Sequence, residues 1–242
     1  MDKIQDIEKS IKTFSDFDKE KRILRLHINN RLNQNHSRVL SSFEDVKTIY
    51  VRLNEDLSLW IQNERDMRQM SRFKETKSGP YPEEVQIEMR KSDLLSKRVH
   101  VDFKALYLFS VILLDIYVKF LYFINPEDKL KSGTVETFLN SLKTEGLSTF
   151  YKVLASNLAN LSEDICGKLT FYRSKKIEHS QFVNEDIWFM NDMQGNVTIS
   201  HVDRDNAEQI TAIGPKDLLN IVSNFFFLTS SYFIKQQKDI RS

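Results

Sequence analysis

The stretch Ala105–Ile124, ALYLFSVILLDIYVKFLYFI, is almost entirely apolar and decides the fold. A run of this length can cross a bilayer as a helix. It contains Asp115 and Lys119, however, and each charge would cost about 2.5 to 3.5 kcal/mol at the centre of a lone membrane-spanning helix. We therefore expect the segment to be the buried central helix of a soluble helical bundle, with no membrane partner.

Upstream of this segment, the apolar residues from Val39 to Met70 recur at spacings of three and four, interrupted only by Glu64. This spacing is typical of one long amphipathic helix. The stripe either packs inside the protein or forms an interface with another subunit of a helical scaffold. The segment KETKSGPY, 74–81, breaks this helix, and Pro82 with the two glutamates after it favours the start of another.

Downstream, the Asn-Pro pair at 125–126 ends the apolar helix, and Thr134 is a suitable N-cap for a short helix closed by Gly146. A second stripe of helical period then runs over 147–172. Beyond residue 179 the pattern becomes extended, with a turn-like segment between the runs IWFM and VTIS. These runs predict a β-hairpin at about 187–213, and Pro215 favours the start of a final helix.

The sequence therefore predicts a mostly α-helical protein with a small β-hairpin before its last helix. The break at 74–81 is the one internal boundary that it indicates. We expect residues 1–80 to form an N-terminal helical region packed on the rest, and residues 81–242 to form a helical domain that includes the hairpin.

Charge, cysteine content and missing motifs narrow the class of function. Thirty-five Lys and Arg balance thirty-four Asp and Glu, so any nucleic-acid site would be a local patch. The single cysteine, Cys166, fits core packing in a reducing compartment, and the charged N-terminus does not resemble a secretory signal. The sequence has no His-Glu-x-x-His, cysteine pair or glycine-rich phosphate loop. We expect a cytoplasmic protein without metal or other cofactor.

The segment FYRSKKIEHS, 171–180, is the best candidate for chemistry, with Arg173 and His179 separated by five residues. The pair follows the second helical stripe and precedes the hairpin. It belongs to a basic group that also contains Lys168, Lys175 and Lys176. Two further pairs of similar spacing lie in a charged N-terminal stretch that is typical of a solvated helical face. They are Arg22 with His27 and Arg31 with His36.

The segment resembles the motif of the HEPN superfamily, in which four to six residues separate Arg from His. Members are helical-bundle proteins, and their nucleases are RNA-cleaving toxins and phage-defence effectors. The resemblance covers roughly Val101 to the C-terminus. It implies a metal-independent endoribonuclease of toxin-antitoxin or phage-defence type, with His179 as general acid or base and Arg173 binding phosphate. It also implies a homodimer that brings two motifs into one cleft, an RNA substrate, and an antitoxin or other protein partner.

The chemistry of the two side chains suits RNA cleavage. A histidine titrates near neutral pH and exchanges protons with ribose or leaving-group oxygens, which contributes about 10² to 10⁴ in rate. An arginine stays charged and presents a planar fork to phosphate oxygens. Because six residues at about 100° each would place Arg173 and His179 on different faces of a helix, the segment must bend for them to converge. Ser174 and Ser180 favour such a bend through local backbone hydrogen bonds.

Supporting residues follow from the resemblance. Nuclease members often hold an acidic or polar residue on an earlier helix, and Asp102 and Asp115 are the available carboxylates. Asp115 lies within the apolar helix, where an acid needs a partner, so a structural ion pair is its alternative role. Glu178 either orients the imidazole of His179 or is a solvated side chain.

One position departs from the motif. Ser174 stands where active nucleases commonly have Asn, Asp or His, and serine cannot act as an acid or base at neutral pH. The alternative function is a non-catalytic HEPN-like module that binds nucleotide, RNA or a protein partner. In such a module the basic group matters and the imidazole does not.

Overall fold

A computed structural model describes the backbone of residues 2–21, 29–72, 82–124, 129–131, 133–170, 187–191, 197–202, 209–211 and 214–239. The surroundings of side chains are described within residues 3–13, 34–67, 69–70, 82–123, 129–131, 133–167, 169 and 214–235. Within this part of the chain the protein is mostly α-helical, which confirms the predicted class.

The helices are long and few in the described residues. They are α1 (Asp2–Lys21), α2 (Asn29–Arg72), α3 (Glu83–Ile124), α4 (Val135–Ser141), α5 (Thr149–Asp164) and α6 (Pro215–Asp239), with a π-helix, Ile165–Thr170, continuing α5. Three antiparallel strands form a sheet in the order β1 (Ile187–Asn191), β2 (Val197–Val202) and β3 (Gln209–Thr211). In its register Phe189 lies opposite Ile199, and Ser200 lies opposite Thr211.

The chain divides into two compact units. Unit 1 contains Met1–Lys47, Tyr107–Asn184 and Lys216–Ser242, and unit 2 contains Thr48–Leu106 and Glu185–Pro215. This grouping differs from the predicted division at residue 80, because the two longest helices, α2 and α3, each contribute to both units.

The core of unit 1 is built around the apolar half of α3. Tyr117 is fully buried there, and its ring stacks on that of Phe226 of α6 with centroids 3.9 Å apart. The hydroxyl of Thr229 lies 3.1 Å from the Tyr117 hydroxyl, and burial raises the pKa of Tyr117. By length and composition this part of α3 could cross a membrane, and 61% of its most apolar window is buried within the protein, as in a core helix.

The short helix α4 begins where the sequence predicts and ends earlier. The Thr134 side chain accepts a hydrogen bond from the Thr137 amide at 3.1 Å, which confirms it as the N-cap. The helix ends at Ser141, however, and the predicted closure at Gly146 is wrong. The amides of Lys143 and Thr144 bond to carbonyls only three residues back, so the chain tightens into a turn. Gly146 lies in that turn with φ 79°, a left-handed conformation that favours glycine.

In unit 2, the second half of α2 and the first half of α3 form an antiparallel pair. Polar contacts join them at four levels, from residues 52 and 102 at one end of the pair to residues 63 and 88 at the other. The pairs are Arg52 with Asp102, Asp56 with Arg98, Asn63 with Glu88, and Trp60 and Glu64 with Ser92.

The predicted stripe of α2 is largely buried within the chain. Its buried members, in units 1 and 2 together, are Val39, Phe43, Val46, Tyr50, Leu53 and Leu57. Burial of these residues favours the core interpretation of the stripe over the intersubunit one. Leu40 and Met70, by contrast, are exposed.

Candidate functional site

The predicted catalytic residues lie outside the described residues. Arg173, Ser174, Lys175, Lys176, Glu178 and His179 all fall within 171–186, so their geometry stays a prediction. The described chain approaches them through Ile165–Thr170, where α5 gives way to a π-helix. Such wider turns with i→i+5 hydrogen bonds recur at functional sites. The backbone therefore leaves α-helical geometry shortly before the motif.

Asp102, one of the two candidate supporting acids, is a buried carboxylate paired with the exposed Arg52 in unit 2. Its two carboxylate oxygens accept hydrogen bonds from the guanidinium of Arg52, and the distance from Nε to Oδ2 is 2.7 Å. This bond raises the pKa of Arg52. The fork-to-fork geometry is the strong form of such a pair, so Asp102 is already engaged structurally.

Asp115, the other candidate acid, holds the start of α4 in unit 1. Its Oδ1 accepts a hydrogen bond from the Val135 amide at 2.7 Å. A carboxylate at a helix N-terminus satisfies a free N–H group and interacts favourably with the helix dipole. One partner of this buried acid is thus the first residue of a helix twenty positions further along the chain.

The described member of the other Arg–His pairs, His36, is half-buried and packs against a core ring. The ring of His36 lies 5.7 Å from that of Phe120, within unit 1. The side chain of Arg31, the pair at 22–27 and the side chain of Lys168 lie outside the described residues. The contact of His36 favours a structural role for this histidine.

A groove lies between α1 and α6 in the described part of unit 1. Its volume is 340 Å³, within the range of small-ligand sites. One face of each helix lines it with hydroxyls, an amide, two lysines and a phenyl ring. The lining residues are Lys3, Asp6, Lys9, Ser10, Thr13, Ser223, Asn224, Phe227, Ser230, Ser231 and Ile234.

Three hydroxyls of the groove donate their protons to backbone carbonyls of their own helices. Ser10 donates to the carbonyl of Asp6 at 3.0 Å, and Thr13 donates to that of Lys9 at 2.8 Å. Ser230 donates to the carbonyl of Phe227. Each hydroxyl has used its only proton, so its oxygen can accept a hydrogen bond from a ligand N–H or O–H group.

Charge and ring exposure add to the chemistry of the groove. Lys3 lies 3.6 Å from Asp6, and Lys9 is exposed on the same helix. The side chain of Phe227 is 60% exposed, so its ring is accessible to a ligand in the groove. Sequence reasoning missed this groove, although Ser223, Phe227 and Ser230 recur at helical spacing on α6.

His100 and Cys166 also have shifted pKa values. Burial, with a contribution from Lys104, lowers the pKa of His100 to about 4, so this histidine is neutral at pH 7. Burial raises the pKa of Cys166, which keeps it a thiol and agrees with a packing role. In the part of the chain that the structure describes, no three His, Cys, Asp or Glu side chains group as metal ligands would.

Comparisons with known proteins add no relative. No family model, curated protein or solved structure matches the chain.

Proposed function

We propose that this protein is a metal-independent endoribonuclease of the HEPN type, a cytoplasmic toxin or phage-defence effector. The observation that carries the proposal is the sequence Arg173-Ser-Lys-Lys-Ile-Glu-His179 in a mostly helical protein. It follows a core helix, α5, whose Tyr151, Leu154 and Leu158 are buried. The π-helix at the end of α5 adds support, because it changes the direction of side chains just before the motif.

The proposed chemistry uses the ribose as nucleophile. His179 takes the proton of a 2′-hydroxyl, the 2′-oxygen attacks the adjacent phosphorus, and the bond from phosphorus to the 5′-oxygen breaks. The leaving oxygen takes a proton, and the products are a 2′,3′-cyclic phosphate and a 5′-hydroxyl. Arg173 stabilises the negative charge that grows on the phosphoryl oxygens. A homodimer would supply two copies of His179, one as the base and one as the acid.

Cleavage of total RNA by purified protein in excess EDTA tests this function. We expect wild type to cut and His179→Ala and Arg173→Ala each to lose at least about 100-fold in rate. Arg22→Ala and His27→Ala are matched controls, since they remove an Arg–His pair of the same kind, and they should cut like wild type. Equal cutting by wild type and His179→Ala would contradict the assignment.

A second candidate is a non-catalytic module that binds a nucleotide unit, alone or in RNA. Ser174 favours it, because a serine replaces the acid or amide typical of active members. Both candidate supporting acids also have structural contacts. Asp102 is hydrogen-bonded to Arg52, and Asp115 accepts a hydrogen bond from the amide of Val135.

The α1–α6 groove is the described site that would serve such a module. A base can stack on the exposed ring of Phe227, since base–aromatic stacking contributes about 1 to 3 kcal/mol. Lys3 and Lys9 provide the charge for a phosphate, and the hydroxyls can accept from base amino groups. A volume of 340 Å³ fits one nucleotide better than a longer segment.

Titration with a fluorescent mononucleotide and with a short single-stranded RNA tests the groove. We expect Phe227→Ala and Lys9→Gln each to weaken binding at least about fivefold. Val153→Ala removes another exposed apolar side chain of unit 1 and should bind like wild type. Binding of the mononucleotide would indicate that the groove takes a free nucleotide. Binding of the RNA but not of the mononucleotide would indicate that the groove holds one nucleotide of a longer RNA. Binding that Phe227→Ala leaves unchanged would exclude the groove.

A further inference from the structure

A row of exposed apolar side chains runs along α3 in unit 2. Ile87, Leu94 and Val101 are 44%, 62% and 61% exposed, and they are spaced by seven residues. On an α-helix this spacing returns each side chain to nearly the same direction, with a drift of about 20° per step. The three residues therefore form one straight stripe, of the kind that packs against another helix.

The stripe is separate from the face that α3 uses inside its own chain. Val85, Ser92 and Val99 are buried and also repeat every seven residues. They precede the exposed residues by two positions, which is about 200° around the helix. This first half of α3 thus has two packing faces, and only one of them is buried in the monomer.

Basic residues flank the exposed stripe on both sides. Arg90, Lys91, Lys97 and Arg98 all lie within about 60° of Leu94 around the helix. Lys91 is paired with Glu88, and Arg98 with Asp56. Arg90 and Lys97 are exposed and have no ion-pair partner among the described residues. We call Ile87, Leu94, Val101, Arg90 and Lys97 the basic face.

The outer side of α2 in the same unit has the opposite charge. Leu59 and Met70 are exposed, and Glu55 and Asp66 lie within about 40° of Leu59 around the helix. We call these four residues the acidic face. Its apolar residues are exposed like those of the basic face, and its carboxylates are opposite in charge to Arg90 and Lys97 of that face. Arg52 lies within about 20° of Leu59, and its ion pair with Asp102 neutralises its charge.

We infer that the protein self-associates by packing the basic face of one copy against the acidic face of a second copy. Pairing two basic faces around Leu94 would instead bring Arg90 and Lys91 close to Lys97 and Arg98 of the other copy, and like charges oppose this arrangement. Every copy carries both faces, so the contact can form twice around a two-fold axis and close as a dimer. Neither face includes Arg173 or His179, so this interaction does not depend on RNA cleavage.

The molecular mass of the full chain in solution, measured by light scattering over a range of concentrations, tests the surface. We expect a dimer for wild type and an association at least about tenfold weaker for Leu94→Asp. Val153→Asp, at an exposed apolar position of α5, is the control and should associate like wild type. Circular dichroism checks that both variants are folded. A monomeric wild type, or a dimeric Leu94→Asp protein, would overturn the inference.

Charge exchange tests which faces meet. Arg90→Glu with Lys97→Glu makes both faces acidic, and Glu55→Lys with Asp66→Lys makes both basic. Each double variant should be monomeric alone, and an equimolar mixture should restore the dimer, because both contacts are then complementary. A mixture that stays monomeric would overturn the pairing of basic with acidic faces.

Discussion

The two halves of helix α3 differ in what their side chains contact. In unit 1 its side chains are mostly apolar and buried, and the one buried acid, Asp115, is held by a backbone amide. In unit 2 its inner face forms ion pairs and hydrogen bonds with α2, while its outer face leaves Leu94 and its neighbours exposed. Of the ten well-exposed large apolar side chains among the described residues, seven lie in unit 2.

This difference indicates that folding stability and association depend on different halves of α3. Burial of apolar side chains is the main favourable term in folding, and polar contacts across a helix pair contribute less but fix its register. We therefore expect unit 1 to dominate the free energy of unfolding and unit 2 to provide the contact with a second copy of the chain. Substitutions in the two halves of α3 should show this division.

The largest effect is expected from a leucine in the unit 1 half. Leu114→Ala removes a fully buried side chain and should lower the free energy of unfolding by about 3 kcal/mol, through lost burial and a cavity. Leu94→Ala in the unit 2 half should change it by less than about 0.5 kcal/mol. Urea denaturation of both variants measures the contrast. Similar losses for the two leucines would contradict the division.

The ion pair of Asp56 with Arg98 in unit 2 should have an intermediate effect on the free energy of unfolding. Asp56 is buried, and its Oδ2 has no hydrogen-bond partner among the described residues, so it depends on Arg98 at 2.6 Å. Arg98→Leu should lower the free energy of unfolding by about 2 kcal/mol, a value reduced because Arg98 is well exposed. The double variant Asp56→Leu with Arg98→Leu should recover most of that loss, since no unpaired charge is left. A larger loss in the double variant would contradict this interpretation.

The buried acid of unit 1 should give a smaller effect. Asp115→Asn keeps an oxygen that accepts from the Val135 amide and removes the charge that favours the start of α4. We expect a loss of about 1 kcal/mol in the free energy of unfolding. If Asp115 also supports catalysis, RNA cleavage would fall while the fold stays intact, so activity and stability are measured on the same sample.

The smallest effect concerns pH and His100 of unit 2. Its pKa is lowered from 6.5 to about 4. Between these pH values His100 is protonated in the unfolded chain and neutral in the folded chain. The associated stability is present above pH 6.5 and is lost as pH falls from 6.5 towards 4. Because His100 is only half-buried, we expect a loss of less than about 1 kcal/mol over that window. His100→Gln should lose less than wild type between the same pH values, and parallel curves would contradict the assignment.

Local signals in the sequence predicted much of the fold. Pro82 with its following glutamates marks the start of α3, Thr134 caps α4, and Pro215 begins α6. These features depend on hydrogen bonds and backbone preferences within a few residues. The end of α4 was misplaced because Gly146 belongs to the turn after the helix.

Partners that are distant in sequence could not be predicted. Asp102 pairs with Arg52 fifty residues away, and Asp115 with an amide twenty residues away. The α1–α6 groove joins residues from the two ends of the chain. No local pattern encodes which of many compatible side chains will meet, because packing of the whole helix set decides it. The Arg–His motif is the opposite case, since its spacing is visible in sequence while its geometry lies outside the described residues.

The most direct test of the proposed function compares one RNA oligonucleotide with the same sequence in 2′-deoxy form, both in excess EDTA. The proposed chemistry predicts that the RNA is cut to fragments ending in a 2′,3′-cyclic phosphate and that the deoxy form stays intact, because it lacks the nucleophile. Cutting of both oligonucleotides, or of neither by folded protein, would contradict it.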